Sequence, residues 1–253
     1  AATRAMMEMM DKLDPRNRVV QSEEPDGPTE CISVTNQDFK SVVYEAMTNI
    51  PTYGAWLRSA DLRSAYEYHR KALQVLQSGG VRGRWSLKAP AHAMNMEALH
   101  AVYPDARLVV THRDPLVVVA SACSLITTLT KTFSDADHHL YIGRHWSEML
   151  ERSVDGVNRF RDSNPGVKIV DVHYTDLNRD PMGTLSRIYA EFGEELKGEA
   201  LAAMARRLEV RKKDRFGKHG YALEDYGLKP GELLDRFRPY IERYGIPLET
   251  RAR

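Results

Sequence analysis

With 253 residues, 42% of them apolar, and 36 Lys and Arg against 35 Asp and Glu, the chain is long enough for one sizeable core and carries a formal net charge of only +1. That balance argues against disorder and against a dedicated nucleic-acid partner. Two cysteines, Cys31 and Cys123, are too few and too distant for a disulfide framework or a metal cluster and fit a reducing, cytoplasmic compartment. No signal peptide and no run of about 18 apolar residues occurs, so no integral membrane segment is expected.

The chain opens with Ala rather than Met, as if a helix were entered partway. Met and Ala positions make residues 1–13 a short amphipathic helix stopped by Asp14-Pro15. Residues 21–29 read as a loop. Phe39, Val42, Val43, Ala46 and Met47 then recur as one helix face, which Pro51 ends. Asp61 is placed to cap a helix carrying Ala65, Tyr66, Ala72, Leu73 and Leu76, closed by Gly79-Gly80. Residues 1–80 are thus expected to form a helical flank or lid, and residues 81–253 the α/β part of the same single domain.

Trp85 to Ser121 reads as strand, turn, helix, strand, turn, helix. An apolar run ends in Lys88 before Pro90, Met94, Ala98, Ala101 and Val102 follow at helical spacing, and Leu108 to Val110 form a second short apolar run. In such βαβ units ligands bind beyond the carboxyl ends of the strands, where Lys88, His92, His112, Arg113 and Asp114 fall. Asp114 and Pro115 suit the cap and first position of a helix apolar nearly all round from Val117 to Leu129. After a polar loop at 132–137, a long amphipathic helix runs through Trp146, Met149, Leu150, Val154, Val157 and Phe160. Asn164-Pro165-Gly166 turns the chain into a third strand candidate, Lys168 to His173. Asp180-Pro181 opens a helix that stops at Gly193, and further helices are expected near 198–208 and 230–244. The pattern predicts an α/β fold, a parallel sheet flanked by helices.

Several residues have two readings. Arg113 at a strand end and Ser121 two turns into the next helix, about 9 Å along its axis, suit a phosphate; equally, Arg113 can pair with a carboxylate and Ser121 can be a small packing residue. His92, in the first turn of its helix, would be kept neutral by the dipole and suited to general-base work, or it is a solvated capping residue. Tyr174 either packs at a strand end or offers a face to a nucleotide base. The basic stretch from Arg206 to Lys218 is a solvated run or an anion site. Tyr53, Trp56, Tyr66 and Tyr68 either line an apolar pocket or belong to the core. The remaining histidines lack metal-motif spacing, so no metal is predicted.

The segments LKAPAH, YPDARLVVTHRDPLVVVAS and YTDLNRDPMGTLSRIYAEFG, in this order and spacing, resemble the PAPS-dependent sulfotransferases, most of all a bacterial branch with an LKxPxH segment. The stretch from Tyr221 to Leu228 and the helical flank from Phe39 to Gln77 are similar too. The resemblance implies a P-loop NTPase-related sulfotransferase fold with 81–253 as its nucleotide-binding part, PAPS as co-substrate with PAP as product, and a small-molecule, lipid or glycan hydroxyl as acceptor. By it, Arg113 and Ser121 match residues binding the donor 3′-phosphate, and Tyr174 matches the residue near its adenine. His92 matches the catalytic base with Lys88 beside it, and Arg211, Lys212, Lys213, Gly217 and Lys218 match the phosphate-binding loop more loosely. One departure is large: the family's initial strand and its Pro-Arg-Ser-Gly-Thr type loop, which holds the phosphosulfate, have no counterpart in these residues. The expectation is therefore an N-terminally incomplete enzyme lacking its first strand and unable to transfer sulfate alone. The alternatives are a non-catalytic PAP-binding or interaction module, and a P-loop kinase relative, the latter disfavoured because no GxxxxGK[ST] occurs.

Overall fold

Two β-branched runs, β1 (Leu108–His112) and β2 (Ile169–His173), pair in parallel with Leu108 opposite Ile169 and His112 opposite His173. The computed structural model describes residues 2–13, 27–80, 82–210 and 222–249, and its only sheet among them is this two-stranded ladder. Parallel strands need a crossover, which α7 (Pro115–Lys131) and the 25-residue α8 (His139–Ser163) supply. Asp114 caps α7 by accepting from the Leu116 amide at 2.9 Å, with Pro115 at the first helical position as its missing N–H allows.

Before the sheet come α1 (Ala2–Leu13), α2 (Ile32–Thr35), α3 (Val43–Met47), α4 (Pro51–Leu57), α5 (Arg63–Gln77) and α6 (Met96–Val102). After it come α9 (Tyr174–Arg179), α10 (Pro181–Glu191), α11 (Gly198–Val210) and α12 (Pro230–Tyr244). The expected α/β architecture, a parallel sheet flanked by helices, is present, mostly helical and with a small sheet, and with three corrections. Residues 85–88 form no strand: the extended chain meets no ladder partner among the described residues, the Lys88 carbonyl accepts from the Cys31 amide at 2.9 Å, and Trp85 and Leu87 remain 42% and 41% exposed. The helix expected across Phe39 to Met47 is broken, because Phe39 takes a left-handed conformation at φ 56° after a 3₁₀ turn, and the helix restarts at Val43. Pro51 opens α4 rather than merely stopping its predecessor, again using the position where its lost N–H costs nothing.

α8 is the spine. Its N-terminal half buries Ile142 in a cluster with Val119, Cys123 and Ile126 of α7 and Leu233 and Phe237 of α12. Its C-terminal half buries Val157 and Phe160 against Tyr66 of α5, Met96 and Leu99 of α6 and Leu108 of β1. Between them Gly156 lets a 3₁₀ turn, Pro90–Met94, lie directly on the helix backbone: a Cβ at Gly156 would stand 2.3 Å from the Ala93 carbonyl oxygen and 3.0 Å from the Met94 Cα. The obstructing atoms are main chain and cannot swing aside. Gly156→Ala is therefore expected to destabilise the fold by about 1–3 kcal/mol, the range for overpacking, read as a lower denaturation midpoint; an unchanged midpoint would contradict this contact.

Candidate functional site

The 3₁₀ turn that rests on Gly156 carries His92. Asn95 braces it by donating from Nδ2 to the Ala91 carbonyl at 2.8 Å, and the His92 Nδ1 lies 2.9 Å from the Tyr66 hydroxyl with the rings 5.6 Å apart. Both residues line a cavity of about 480 Å³ whose other walls include Met94, Met149 and the charged side chains Arg58 and Arg152. Burial, helped by the nearby His69, pushes the His92 pKa down to about 4, while burial and the neighbouring Cys31 and Tyr103 push the Tyr66 hydroxyl well above the ordinary phenol range. The imidazole is thus neutral at physiological pH, as the sequence suggests, but desolvation is the cause. His92 stands in a short 3₁₀ turn, with α6 starting only at Met96.

Of the aromatic residues considered for this pocket, only Tyr66 reaches it. Tyr53 packs between Tyr44 and Trp56 and donates its hydroxyl to the Phe39 carbonyl at 2.9 Å, and Tyr68 bonds Gln37 at the surface. Lys88, expected beside His92, is exposed, ion-pairs with Glu30 and lines neither this cavity nor the next.

A second cavity, of about 300 Å³, opens at the carboxyl end of β1. Arg113 leaves the strand there and lays its guanidinium 4.0 Å over the ring of Tyr174, the first residue of α9. Its Nε and Nη2 donate to the two carboxylate oxygens of Glu249 at 2.6 and 2.9 Å, a bidentate fork. The Asp114 carboxylate, already capping α7, also accepts from the Glu249 amide at 2.8 Å. Beneath lies fully buried His112, whose Nε2 is 2.8 Å from Asp171 and whose ring stacks 4.2 Å from that of Tyr244. Burial raises the Asp171 pKa, but the His112 hydrogen bond and the Arg161 charge outweigh it and hold the carboxyl below its usual range.

Arg113 and Tyr174 are therefore brought together. Ser121 lies half-buried on α7 outside the lining of this cavity, with no side-chain hydrogen bond to Arg113. Arg211, Lys212, Lys213, Gly217 and Lys218 lie outside the described residues. Three contacts escaped the sequence: Tyr66 with His92, Glu249 with Arg113, and the His112–Asp171 pair, which meets diagonally because the register sets Asp171 opposite Val110 and His112 opposite His173, a register local sequence does not disclose.

Against this geometry, a sequence model described as the sulfotransferase family matches residues 1–198. The chain belongs to the sulfotransferase family. Among solved structures it is similar to sulfotransferase STF9 from Mycobacterium avium, at 33% identity and a TM-score of 0.83 over 98% of this chain. It is also similar to sulfotransferase STF1 from Mycobacterium tuberculosis H37Rv, at 31% identity and a TM-score of 0.74 over 92% of it. The chain spans 65% and 62% of the lengths of those two proteins. No curated protein matches the sequence.

Burial of His92 in this member of the family has a consequence for stability. Its folded-state pKa lies below the unfolded value, so as pH falls below about 6.5 the unfolded chain takes up a proton that the folded chain refuses until about 4. Stability should be unaffected by this group above pH 6.5 and fall between 6.5 and 4, by an amount on the order of 3 kcal/mol for a shift of this size. His69, also depressed by burial, adds in the same sense. Denaturant melts across that window should slope less for His92→Gln than for the wild type; equal slopes would show that His92 titrates normally.

Proposed function

We propose that this sulfotransferase moves a sulfuryl group from PAPS to a hydroxyl of an acceptor seated beside His92. The carrying observation is that His92 lines a cavity with its Nδ1 engaged by Tyr66, while Nε2 has no hydrogen-bond partner among the described residues. An acceptor hydroxyl would give its proton to Nε2 as its oxygen forms the new bond to sulfur and the bridging S–O bond breaks, the electron pair leaving with PAP. Lys88 could assist the charge growing on the bridging oxygen only after parting from Glu30.

Donor binding is assigned to the second cavity. The fork of Arg113 already holds a planar anion, the Glu249 carboxylate, so its geometry fits a phosphate, and Tyr174 supplies an aromatic surface for a base. On the family likeness alone, Ser121, which lies outside the cavity lining, and Arg211, Lys212, Lys213, Gly217 and Lys218 are proposed as further phosphate ligands. The pairing of Lys88 with Glu30, away from both cavities, favours a second reading, a non-catalytic PAP-binding or interaction module.

Transfer from labelled PAPS to a panel of phenols, alcohols and sugars separates the two. Where transfer occurs, His92→Ala should lower turnover about 10²-fold or more with PAP affinity nearly unchanged; undiminished turnover would mean that the base lies elsewhere. PAP binding without transfer by the wild type would favour the module.

Arg113 and Glu249 should act in opposite directions on PAP. Arg113→Ala is expected to weaken binding by about 1.5–3 kcal/mol, as for hydrogen bonds to charged groups, with a smaller loss for the nucleotide lacking the 3′-phosphate. Glu249→Gln should tighten binding, because the competing charge is gone. Calorimetry giving equal losses for both nucleotides in Arg113→Ala would remove the 3′-phosphate from this site.

A further inference from the structure

Tyr66 is 4% exposed and sits among Met96, Leu99, Val157 and Phe160, an environment that a phenylalanine would fill equally well. What the hydroxyl adds is one polar atom, 2.9 Å from His92 Nδ1, at the edge of the cavity that both residues line. Resting on the reading of His92 as the base, we propose that Tyr66 is its positioning residue: the phenol oxygen accepts from Nδ1–H and thereby selects the tautomer whose Nε2 lone pair is left for the acceptor.

A neutral imidazole carries one ring hydrogen, and whichever nitrogen carries it cannot take another proton. If Tyr66 donated to Nδ1, the hydrogen would reside on Nε2 and the ring would face the cavity as a donor. With the roles reversed, Nδ1–H points at the phenol oxygen, and the Tyr66 hydroxyl hydrogen turns toward the cavity, where water or the acceptor itself takes it. On proton uptake at Nε2 the new imidazolium keeps its Nδ1–H on an oxygen instead of on hydrocarbon.

The choice of a phenol over a carboxylate matters. The carboxylates that line this cavity, Glu148, Glu151 and Asp155, make no hydrogen bond to His92 among the described residues. A carboxylate would raise the ring's pKa and favour the charged form, whereas a neutral oxygen orients the ring without adding charge. Tyr66 is itself held from below: His69, one turn on in α5, is fixed by Tyr103 through a 2.7 Å bond, so α5 cannot rotate the phenol away without breaking a second buried contact.

The test is ¹⁵N NMR of the histidine ring nitrogens in the full chain at neutral pH, wild type and Tyr66→Phe, with His92→Gln to assign the signal. The expected result is His92 as the Nδ1–H tautomer in the wild type, shifting toward Nε2–H in Tyr66→Phe. In the transferring protein, Tyr66→Phe should lower kcat about tenfold, short of the loss on removing the base, with acceptor KM and PAP affinity unchanged and no added loss on top of His92→Ala. An Nε2–H tautomer in the wild type, or one unaltered by Tyr66→Phe, overturns the proposal. Should His92→Ala transfer sulfate normally, the base reading falls, while the tautomer result still decides what Tyr66 does to the ring. The wild-type spectrum is decisive even if the variant folds poorly.

Discussion

Everything at the two cavities depends on one close approach, that of the Pro90–Met94 turn to the backbone of α8 at Gly156. Main chain touching main chain is a stiffer restraint than any side-chain contact, since no rotamer can relieve it. The turn places His92 on one side and Ala93 on the other, and α8 contributes Met149 and Arg152 to the first cavity but Val154 and Val157 to the second. The helix is a shared wall, and its two buried ends fix that wall in separate clusters.

The electrostatics of the two cavities differ in kind. Around His92 the dominant effect is desolvation, which keeps imidazole and phenol neutral and lets a weak hydrogen bond set their geometry. Around Arg113 the dominant effect is charge pairing, with a fork, a carboxylate and an aromatic face stacked within one small volume. A pair that is part-exposed on both sides contributes little to stability. The geometry of the fork is the more informative feature, because a bidentate seat matches carboxylate and phosphate alike.

Periodic and capping signals translated well from sequence. Asp114-Pro115 and Asp180-Pro181 each open a helix with the aspartate accepting from an amide of the first turn, at 2.9 Å in both cases, because the chemistry is confined to neighbouring residues, Asp114 to Leu116 and Asp180 to Gly183. The strand candidates divided. Leu108–His112 and Ile169–His173 found each other, whereas the run ending in Lys88 did not become a strand, since being one requires a partner that local composition cannot specify. For the site, strand-end position and family likeness drew attention to His92, Arg113 and Tyr174. They could not show Tyr66 or Glu249, which meet their partners across 26 and 136 residues of chain.

The turn on Gly156 also bears on how this segment can vary between relatives. His92 and Ala93 are neighbours in the chain yet line different cavities, so the turn partitions the two chambers residue by residue. A 3₁₀ helix advances about 120° per residue. Adding or deleting a single residue between Pro90 and Met94 would therefore carry the imidazole out of its chamber and present a different side chain to Tyr66. Length in this five-residue stretch is under geometric constraint even where composition is free, and gaps in alignments of such chains belong outside it.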